Sequence, residues 1–258
     1  MMNQKTFYCL IFTAFISLAV HGQQKATAEQ TEYYSPVPKV ITPGSANFGA
    51  PSDAIILFDG KNMDEWEPTK RSAPNEKWTL VDGTMLVNKK AGDFQTKRKF
   101  NDFQLHIEYR IPADITGSGQ SRGNSGIFMA ALPWGAGGYE LQVLDNYNNS
   151  TYVNGQAGSI YKQNPPMVNA CLPPGEWQRY EVVWIAPRFK ADGSIESSAR
   201  VTVFHNGVLV QNDLVLTGDT PYVGNPEYKK HGPSPIKLQA HGDKSEPISY
   251  RNIWLREL

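Results

Sequence analysis

Residues 138–161 read GYELQVLDNYNNSTYVNGQAGSIY. The first half alternates, so Glu140 and Gln142 face one side of a β-strand while apolar residues face the other. The strand ends at Asp145, in a loop rich in Asn, Gly and Tyr. Two interpretations stay open: an ordinary amphipathic strand followed by a turn, or a polar face that binds a ligand with many hydroxyl groups.

Short strand patterns of the same kind recur along the chain. Residues 103–111 alternate, residues 236–240 and 248–258 have strand composition, and Asn206-Gly207 is a strong hairpin signal. No stretch of helical length shows an apolar period of 3.6 residues. The sequence therefore predicts an all-β fold, a two-sheet β-sandwich or jelly roll, with residues 54–258 as its single domain.

The N-terminus has the pattern of a targeting segment. Lys5 precedes an apolar run at residues 7–20, and a small-residue cleavage site ends at Gly22. Residues 1–22 are therefore predicted to be a signal peptide, whose apolar run is too short to insert as a membrane-spanning helix. Residues 23–53, rich in Gln, Thr, Pro and Ala, are predicted to be a loosely held arm or linker. These features predict a periplasmic or secreted protein.

Composition excludes several classes of function. The 25 basic and 25 acidic side chains leave a formal net charge of +0 at pH 7, which gives no reason to expect a nucleic acid or an anionic membrane as partner. Removal of the signal peptide leaves Cys171 as the only cysteine, so neither an internal disulfide nor a thiolate metal cluster is expected. No spacing requires a metal cofactor. A divalent cation is left open, since Asp145 and its Asn-rich loop offer hard oxygen ligands.

Three predicted strands carry polar groups opposite their apolar face. These groups are His106, Glu108 and Arg110; Glu140 and Gln142; and Lys237, Gln239 and His241. If the strands share a sheet, such a cluster favours proton transfer. For the group around His106, a solvated outer face with a cross-strand ion pair is the preferred interpretation. His205 precedes a hairpin turn and is predicted to be exposed, whereas a functional role is preferred for His241, at the end of its strand.

Two further positions have alternative interpretations. Asp145 either takes part in chemistry or caps backbone N–H groups in a turn. Asn124 either binds a ligand or shapes a tight strand entry between glycines. Double-displacement glucanases need two neighbouring carboxylates. Here Glu140 and Asp145 lie at opposite strand parity with no acid between them, so that mechanism is not predicted.

A series of motifs resembles one known family. They are GNSGIFM at 123–129, the stretch at 139–161, PPGEWQRYEVVW at 173–184, ARVTVFHNGVLVQND at 199–213, PIKLQAHG at 235–242 and YRNIWLREL at 250–258. Their order resembles the 3-keto-disaccharide hydrolase domain family over nearly all of residues 55–258. Any one motif would be a weak signal, but the ordered set is specific.

The resemblance implies a concanavalin A-like lectin/glucanase sandwich and action on glycosides whose glucose ring carries a ketone at C3. That ketone acidifies the C2 proton, so a base can remove it, the C1 substituent can leave, and water can add. Such chemistry needs a base, an acid and donors for the enolate oxygen. The expected acid/base pair is Glu140 and His241, with Lys237 and Gln142 holding the ketone or enolate oxygen. The other expected substrate contacts are Asn124, Tyr139, Asp145, Tyr161 and Gln239.

One position departs from the family pattern. The family usually reads L-Q-D-H-G, and this chain has Ala240 directly before His241. If the missing Asp orients the imidazole, the protein is expected to be slow, altered in substrate, or a carbohydrate-binding module without turnover. By strand parity Ala240 faces away from His241, so a structural role for that Asp is the alternative. An interaction domain of a larger exported assembly is the third hypothesis, favoured only by the N-terminal arm.

Overall fold

The computed structural model describes residues 48–69, 76–133 and 137–258. The predicted signal peptide and most of the predicted arm lie outside these residues. Besides strands, the described residues contain short 3-10 helices, Gly119–Ser121 and Val153–Gly155, which confirms the all-β prediction. None of their helices is long and apolar enough to cross a membrane.

Eight strands form the larger sheet. They are β1 Ile55–Phe58, β3 Thr79–Val81, β4 Thr84–Leu86, β6 Phe103–Arg110, β9 Trp177–Ile185, β12 Arg200–His205, β13 Val208–Val215 and β15 Ser249–Glu257. Their order is β13-β12-β9-β6-β15-β4-β3, and β1 also pairs with β15. Asn206 and Gly207 adopt φ of 52° and 82° between β12 and β13, the left-handed conformation that a two-residue hairpin turn requires.

Five strands form the second sheet. They are β2 Trp66–Pro68, β5 Phe94–Thr96, β7 Ser125–Ala131, β8 Gly138–Val143 and β14 Lys237–Leu238, in the order β2-β5-β14-β7-β8. β10 Arg188–Phe189 and β11 Ile195–Ser197 pair separately. β14 is shorter than the predicted strand at 236–240. Gln239 N–H still donates to Gly126 O at 2.9 Å, but Ala240 N–H donates to the Asp93 carboxylate at 2.9 Å and leaves the ladder.

The core lies between the two sheets. Tyr139, on β8, packs its ring 5.3 Å from that of Trp184 on β9. The Tyr180 hydroxyl, also from β9, donates to Gln142 O at 2.8 Å. Leu141 and Leu105 are fully buried on the facing strands β8 and β6. These contacts across the interior confirm the two-sheet sandwich.

The outer face of the larger sheet is less solvated than predicted. The expected cross-strand ion pair is present, since Arg251 Nε lies 2.6 Å from Glu108 Oε2. However, His106 is fully buried and Glu108 is only 8% exposed, so the prediction of a solvated face was wrong there. The rings of Phe48 and Trp254 stack on the imidazole, with centroids 6.0 and 5.2 Å away. This aromatic cover excludes water from the His106 imidazole.

The prediction that His205 is exposed was also wrong. Its side chain is buried, with Nε2 3.1 Å from the Tyr109 hydroxyl and the ring 4.6 Å from that of Tyr180. Burial lowers the pKa of His205 to about 3. The physical reason is strand parity: His205 shares the inward face of β12 with Val201 and Val203, and this outweighs its position before a turn.

Candidate active site

Polar residues from separate segments meet on the outer face of the five-stranded sheet. The register aligns Gln95, Lys237, Phe128 and Glu140 in one row across β5, β14, β7 and β8, and paired residues share a face. Tyr161 extends this row, since its N–H donates to Glu140 O at 3.1 Å. The structure therefore brings three of the predicted site residues, Glu140, Lys237 and Tyr161, onto one surface.

Glu140 is a buried acid whose carboxyl accepts no hydrogen bond from the described residues. It is 5% exposed. Space for it comes from Gly126 on β7, because a Cβ there would lie 2.1 Å from Glu140 Oε1. Burial raises the pKa of Glu140 to about 8, with the Lys237 ammonium opposing the rise and Asp93 adding to it. The carboxyl is therefore mostly protonated at neutral pH and is able to donate a proton.

Lys237 places a positive charge beside Glu140. Its Nζ lies 3.7 Å from the centroid of the Phe128 ring and 3.1 Å from Asp93 Oδ2. Gly137, at φ 94°, allows this approach, since a Cβ there would lie 2.7 Å from Nζ. An ammonium group has three N–H donors, so one ion pair leaves donors for an oxygen of a bound ligand.

A pocket of about 780 Å³ opens next to Lys237. Its polar lining includes Asp93, Gln95, Lys237, Gln239 and His241. Gln239 Oε1 is buried and has no hydrogen-bond partner within the described ranges. A buried amide oxygen in that state favours a ligand that brings a donor, such as a hydroxyl group. The volume lies in the range of small-molecule sites.

His241 is held by a carboxylate that the motif analysis did not identify. Its Nδ1 lies 2.8 Å from Asp243 Oδ2. Burial would raise the pKa of Asp243, but hydrogen bonds from His241, Lys89 and Ser245 outweigh it and hold that pKa well below its usual range. Lys89 Nζ lies 2.8 Å from Asp243 Oδ1. The charged carboxylate therefore fixes one ring nitrogen of His241 and leaves Nε2 available to a ligand.

Asp243 could have been found from the sequence. The segment 241–243 reads His-Gly-Asp, which places a carboxylate two residues from the imidazole across a glycine. Ala240 itself packs partly against the core, as strand parity predicts.

Gln142 and Asn124 bind each other. Gln142 Nε2 donates to Asn124 Oδ1 at 2.8 Å, and also to Ser125 O and Val143 O. Asn124 Nδ2 donates to Gln120 O at 2.8 Å. The N–H groups of both amides are thus already used, so this pair shapes the strand entry and offers no free donor to an enolate oxygen.

Tyr139 and Asp145 are not brought to the polar face. Tyr139 lies on the inner face of β8, and its hydroxyl is 3.1 Å from Nε2 of His231, a residue that lines the pocket. Asp145 is buried and forms an ion pair with Arg122 at 2.5 Å. It also accepts the N–H of Tyr147 at 2.9 Å, as a turn cap does.

No cluster of three or more His, Cys, Asp or Glu side chains in the described part of the chain is placed to hold a metal ion. The Asp145 carboxylate, which the sequence offered as a cation ligand, has Arg122 and a backbone N–H as its partners.

Comparison with known proteins identifies a family that matches most of the chain. The model of one family, described as 3-keto-alpha-glucoside-1,2-lyase-like domain, matches residues 53–256. A 3-keto-disaccharide hydrolase of Bacteroides thetaiotaomicron is 27% identical over 219 residues, which is 70% of this chain and 73% of that protein.

Solved structures extend the comparison. A candidate glycosyl hydrolase of Parabacteroides distasonis is 55% identical and has a TM-score of 0.84, covering 92% of this chain and 99% of that one. A second P. distasonis structure, also of a candidate glycosyl hydrolase, is 22% identical with a TM-score of 0.58, covering 80% and 99%. This second likeness shows the fold alone.

Proposed function

The chain belongs to the 3-keto-alpha-glucoside-1,2-lyase-like domain family, and we propose that it cleaves glycosides whose glucose ring carries a ketone at C3. The reaction begins with removal of the C2 proton, which the neighbouring ketone acidifies. The electrons of the C2–H bond form the C2–C3 enolate, and the C1–O bond then breaks with formation of a C1–C2 double bond. The C3 ketone re-forms in this step. The hydroxyl of a water molecule then adds to C1 and a proton adds to C2, which removes the double bond, and the net result is hydrolysis of the glycoside.

His241 is the proposed base. The carboxylate of Asp243 holds Nδ1 at 2.8 Å, so Nε2 receives the C2 proton and the resulting imidazolium is stabilised by the adjacent negative charge. The same contact supports an active enzyme despite Ala240, because the imidazole already has an acidic partner. A buried ammonium, Lys237, stabilises the enolate oxygen.

Glu140 is the proposed acid. It lies on the same face as Lys237 and Gln239, and its raised pKa keeps a proton available for the departing C1 oxygen. β7 lies between β8, which carries Glu140, and β14, which leads to His241. In this proposal His241 acts at C2 and Glu140 acts at the oxygen on C1. Gln239 Oε1 accepts a hydroxyl proton of the bound sugar.

The observation that carries the proposal is the state of the Glu140 carboxyl. It is buried with no hydrogen bond from the described residues, in a space that exists only because residue 126 is glycine. Burial of such a carboxyl lowers the stability of the folded protein, and the same burial makes the group suited to proton transfer.

The decisive experiment compares 3-keto-trehalose with unoxidised trehalose in deuterated water, followed by mass spectrometry and NMR. We expect cleavage of the keto sugar alone, with deuterium at C2 of the released keto-glucose. Cleavage of both sugars at similar rates would contradict the proposal, and so would cleavage without deuterium at C2. Saturable calorimetric binding without any cleavage would favour a binding module instead.

A further inference from the structure

We propose that Tyr152, Tyr161, Lys162 and Tyr222 form a platform that binds the leaving sugar ring of a disaccharide substrate. We call these four residues the aglycone platform. The inference rests on the proposed function, since it assigns a chemical class to the half of the substrate that departs. It names a pyranose ring, with its apolar C–H face and its hydroxyl groups, as the occupant.

The platform begins at Tyr161, next to Glu140, and extends away from the pocket. Tyr161 pairs with Glu140 through a backbone hydrogen bond of 3.1 Å. The hydroxyl oxygens of Tyr152 and Tyr161 are 2.8 Å apart. Lys162 Nζ lies 5.7 Å from the centroid of the Tyr161 ring and 4.3 Å from that of Tyr222. The four side chains are thus contiguous, and Glu140 lies between them and the pocket.

Local contacts hold the platform in place. Lys162 adopts φ 58°, a conformation that a non-glycine residue takes only when its surroundings fix it. Its ammonium donates to Tyr222 O at 2.5 Å. The loop before Tyr222 is anchored to β8, because the Thr220 hydroxyl donates to Gly138 O at 2.8 Å and accepts Glu140 N–H at 3.0 Å. These contacts order Lys162 and the backbone of the loop at Tyr222 before a ligand arrives, which lowers the entropic cost of binding.

Two of the three platform rings are exposed to solvent, whereas Tyr161 is buried at 9% exposure. Tyr222 is 70% exposed and Tyr152 is 41% exposed. Exposed aromatic side chains beside a polar site favour a ligand with both an apolar face and hydroxyl groups, since tyrosine stacks through its ring and hydrogen-bonds through its hydroxyl. The Lys162 ammonium adds donors for sugar oxygens at the same surface.

The dimensions also fit two sugar rings. β14, β7, β8 and the segment of Tyr161 lie side by side, and three strand spacings cover roughly 14 Å. One ring occupies the pocket beside Lys237, and the other lies on the platform. The bond between the rings then lies near Glu140, where the departing oxygen needs its proton.

The test uses Tyr222→Ala and Gly155→Ala with two substrates, 3-keto-trehalose and methyl 3-keto-α-glucoside. Gly155→Ala moves the Tyr152 ring without removing it, because a Cβ there would lie 2.0 Å from Tyr152 Cε2. We expect KM for the disaccharide to rise on the order of three- to tenfold in each variant. KM for the methyl glycoside should stay unchanged, since it lacks the second ring. Phe204→Ala, an exposed aromatic on the larger sheet, is the matched control and should leave both values unchanged.

Equal changes for the two substrates, or no change for either, would overturn the platform while leaving the proposed function intact. If the wild-type protein cleaves neither substrate, the proposed function fails, and calorimetry with the same ligands and variants decides the platform. Selective loss of disaccharide affinity in Tyr222→Ala would then support the platform. Equal affinities, or no binding of the disaccharide to the wild type, would overturn it.

Discussion

The two sheets each bury a glutamate, and the two carboxyl groups are in opposite states. Glu108, on the larger sheet, is bonded by Arg251 at 2.6 Å, Asn252 at 2.8 Å and His106 at 3.4 Å. Burial would raise its pKa, but these hydrogen bonds outweigh burial and hold the pKa at about 2. Glu140, on the smaller sheet, has no such donors within the described residues, and burial raises its pKa to about 8.

The comparison shows that hydrogen-bond donors decide what burial does to an acid. With donors, the carboxylate stays charged and links neighbouring strands. Without such donors, the buried acid keeps its proton. It then destabilises the folded state at every pH at which the same carboxyl is ionised in the unfolded chain. The larger sheet therefore uses its glutamate for structure, and the smaller sheet retains one that is suited to chemistry.

The largest expected effect is on turnover. We expect Glu140→Gln to reduce kcat on 3-keto-trehalose by about 10²- to 10⁴-fold, because the amide cannot donate a proton to the departing oxygen. Glu108→Gln, on the other sheet, should leave kcat of the folded protein within about twofold. Full activity of Glu140→Gln would remove it from the acid role, and an equal loss in both variants would show that the contrast between the sheets is not functional.

The next effect concerns the carboxylate that positions His241. We expect Asp243→Asn to lower kcat by about 10- to 100-fold, as removal of an orienting partner commonly does. The loss should appear in kcat more than in KM, because the imidazole is still present but is no longer held in one orientation. Asp243→Glu should restore part of the activity. Asp192→Asn, in an exposed turn, is the control, and a change in KM with unaltered kcat in Asp243→Asn would argue against an orienting role for Asp243.

Substitution of the two glutamates by glutamine should change the free energy of unfolding in opposite directions. Glu108→Gln is expected to lower the free energy of unfolding at pH 7 by about 1–3 kcal/mol, a range reduced because Arg251 is partly exposed. The folded pKa of Glu108 is depressed to about 2. Its contribution is therefore present above the unfolded value near 4.5 and is lost as the pH falls toward 2.

Glu140→Gln should instead raise the free energy of unfolding by about 1–3 kcal/mol at pH 8. The folded pKa is raised to about 8, so wild-type stability falls as the pH rises from about 4.5 to 8, and the gain in the variant should vanish near pH 4. Urea unfolding of both variants at pH 4, 7 and 8 checks the two signs. The same sign for both glutamates at pH 8 would contradict the comparison.

The smallest effect is expected at residue 240, where this chain has Ala and the family pattern has Asp. Ala240→Asp should not raise kcat, because Asp243 already binds the imidazole of His241. It should lower stability by about 1 kcal/mol, since residue 240 packs partly against the core and its N–H is bonded to the Asp93 carboxylate. A clear gain in kcat would show that Asp243 does not replace the missing acid.

Much of the fold could be predicted from the sequence. Period-two alternation is a local property, so it identified β6 and β8 and the hairpin at Asn206-Gly207. Very short strands such as β2 and β5 were missed, because three residues carry too little periodicity. The burial of His106 could not be predicted either, because the Phe48 ring that covers it comes from a distant segment of the chain.

The sequence predicted which residues belong to the site better than it predicted the contacts between them. Glu140, Lys237 and His241 were identified as polar groups on their strands, and the structure places Glu140 and Lys237 in one row. The occupied amide of Gln142 and the packing of the Tyr139 ring against Trp184 became visible only from contacts.

The sequence by itself determined the all-β class, the strand faces and the family, because these depend on neighbouring residues and ordered motifs. Only the tertiary structure decided the state of each acid. Glu108 and Glu140 are both glutamates at polar positions of alternating strands. Their charge depends on what lies opposite each of them in the folded protein. Glu108 faces donors such as Arg251, which is more than 100 residues away in the chain. Glu140 faces the open space over Gly126.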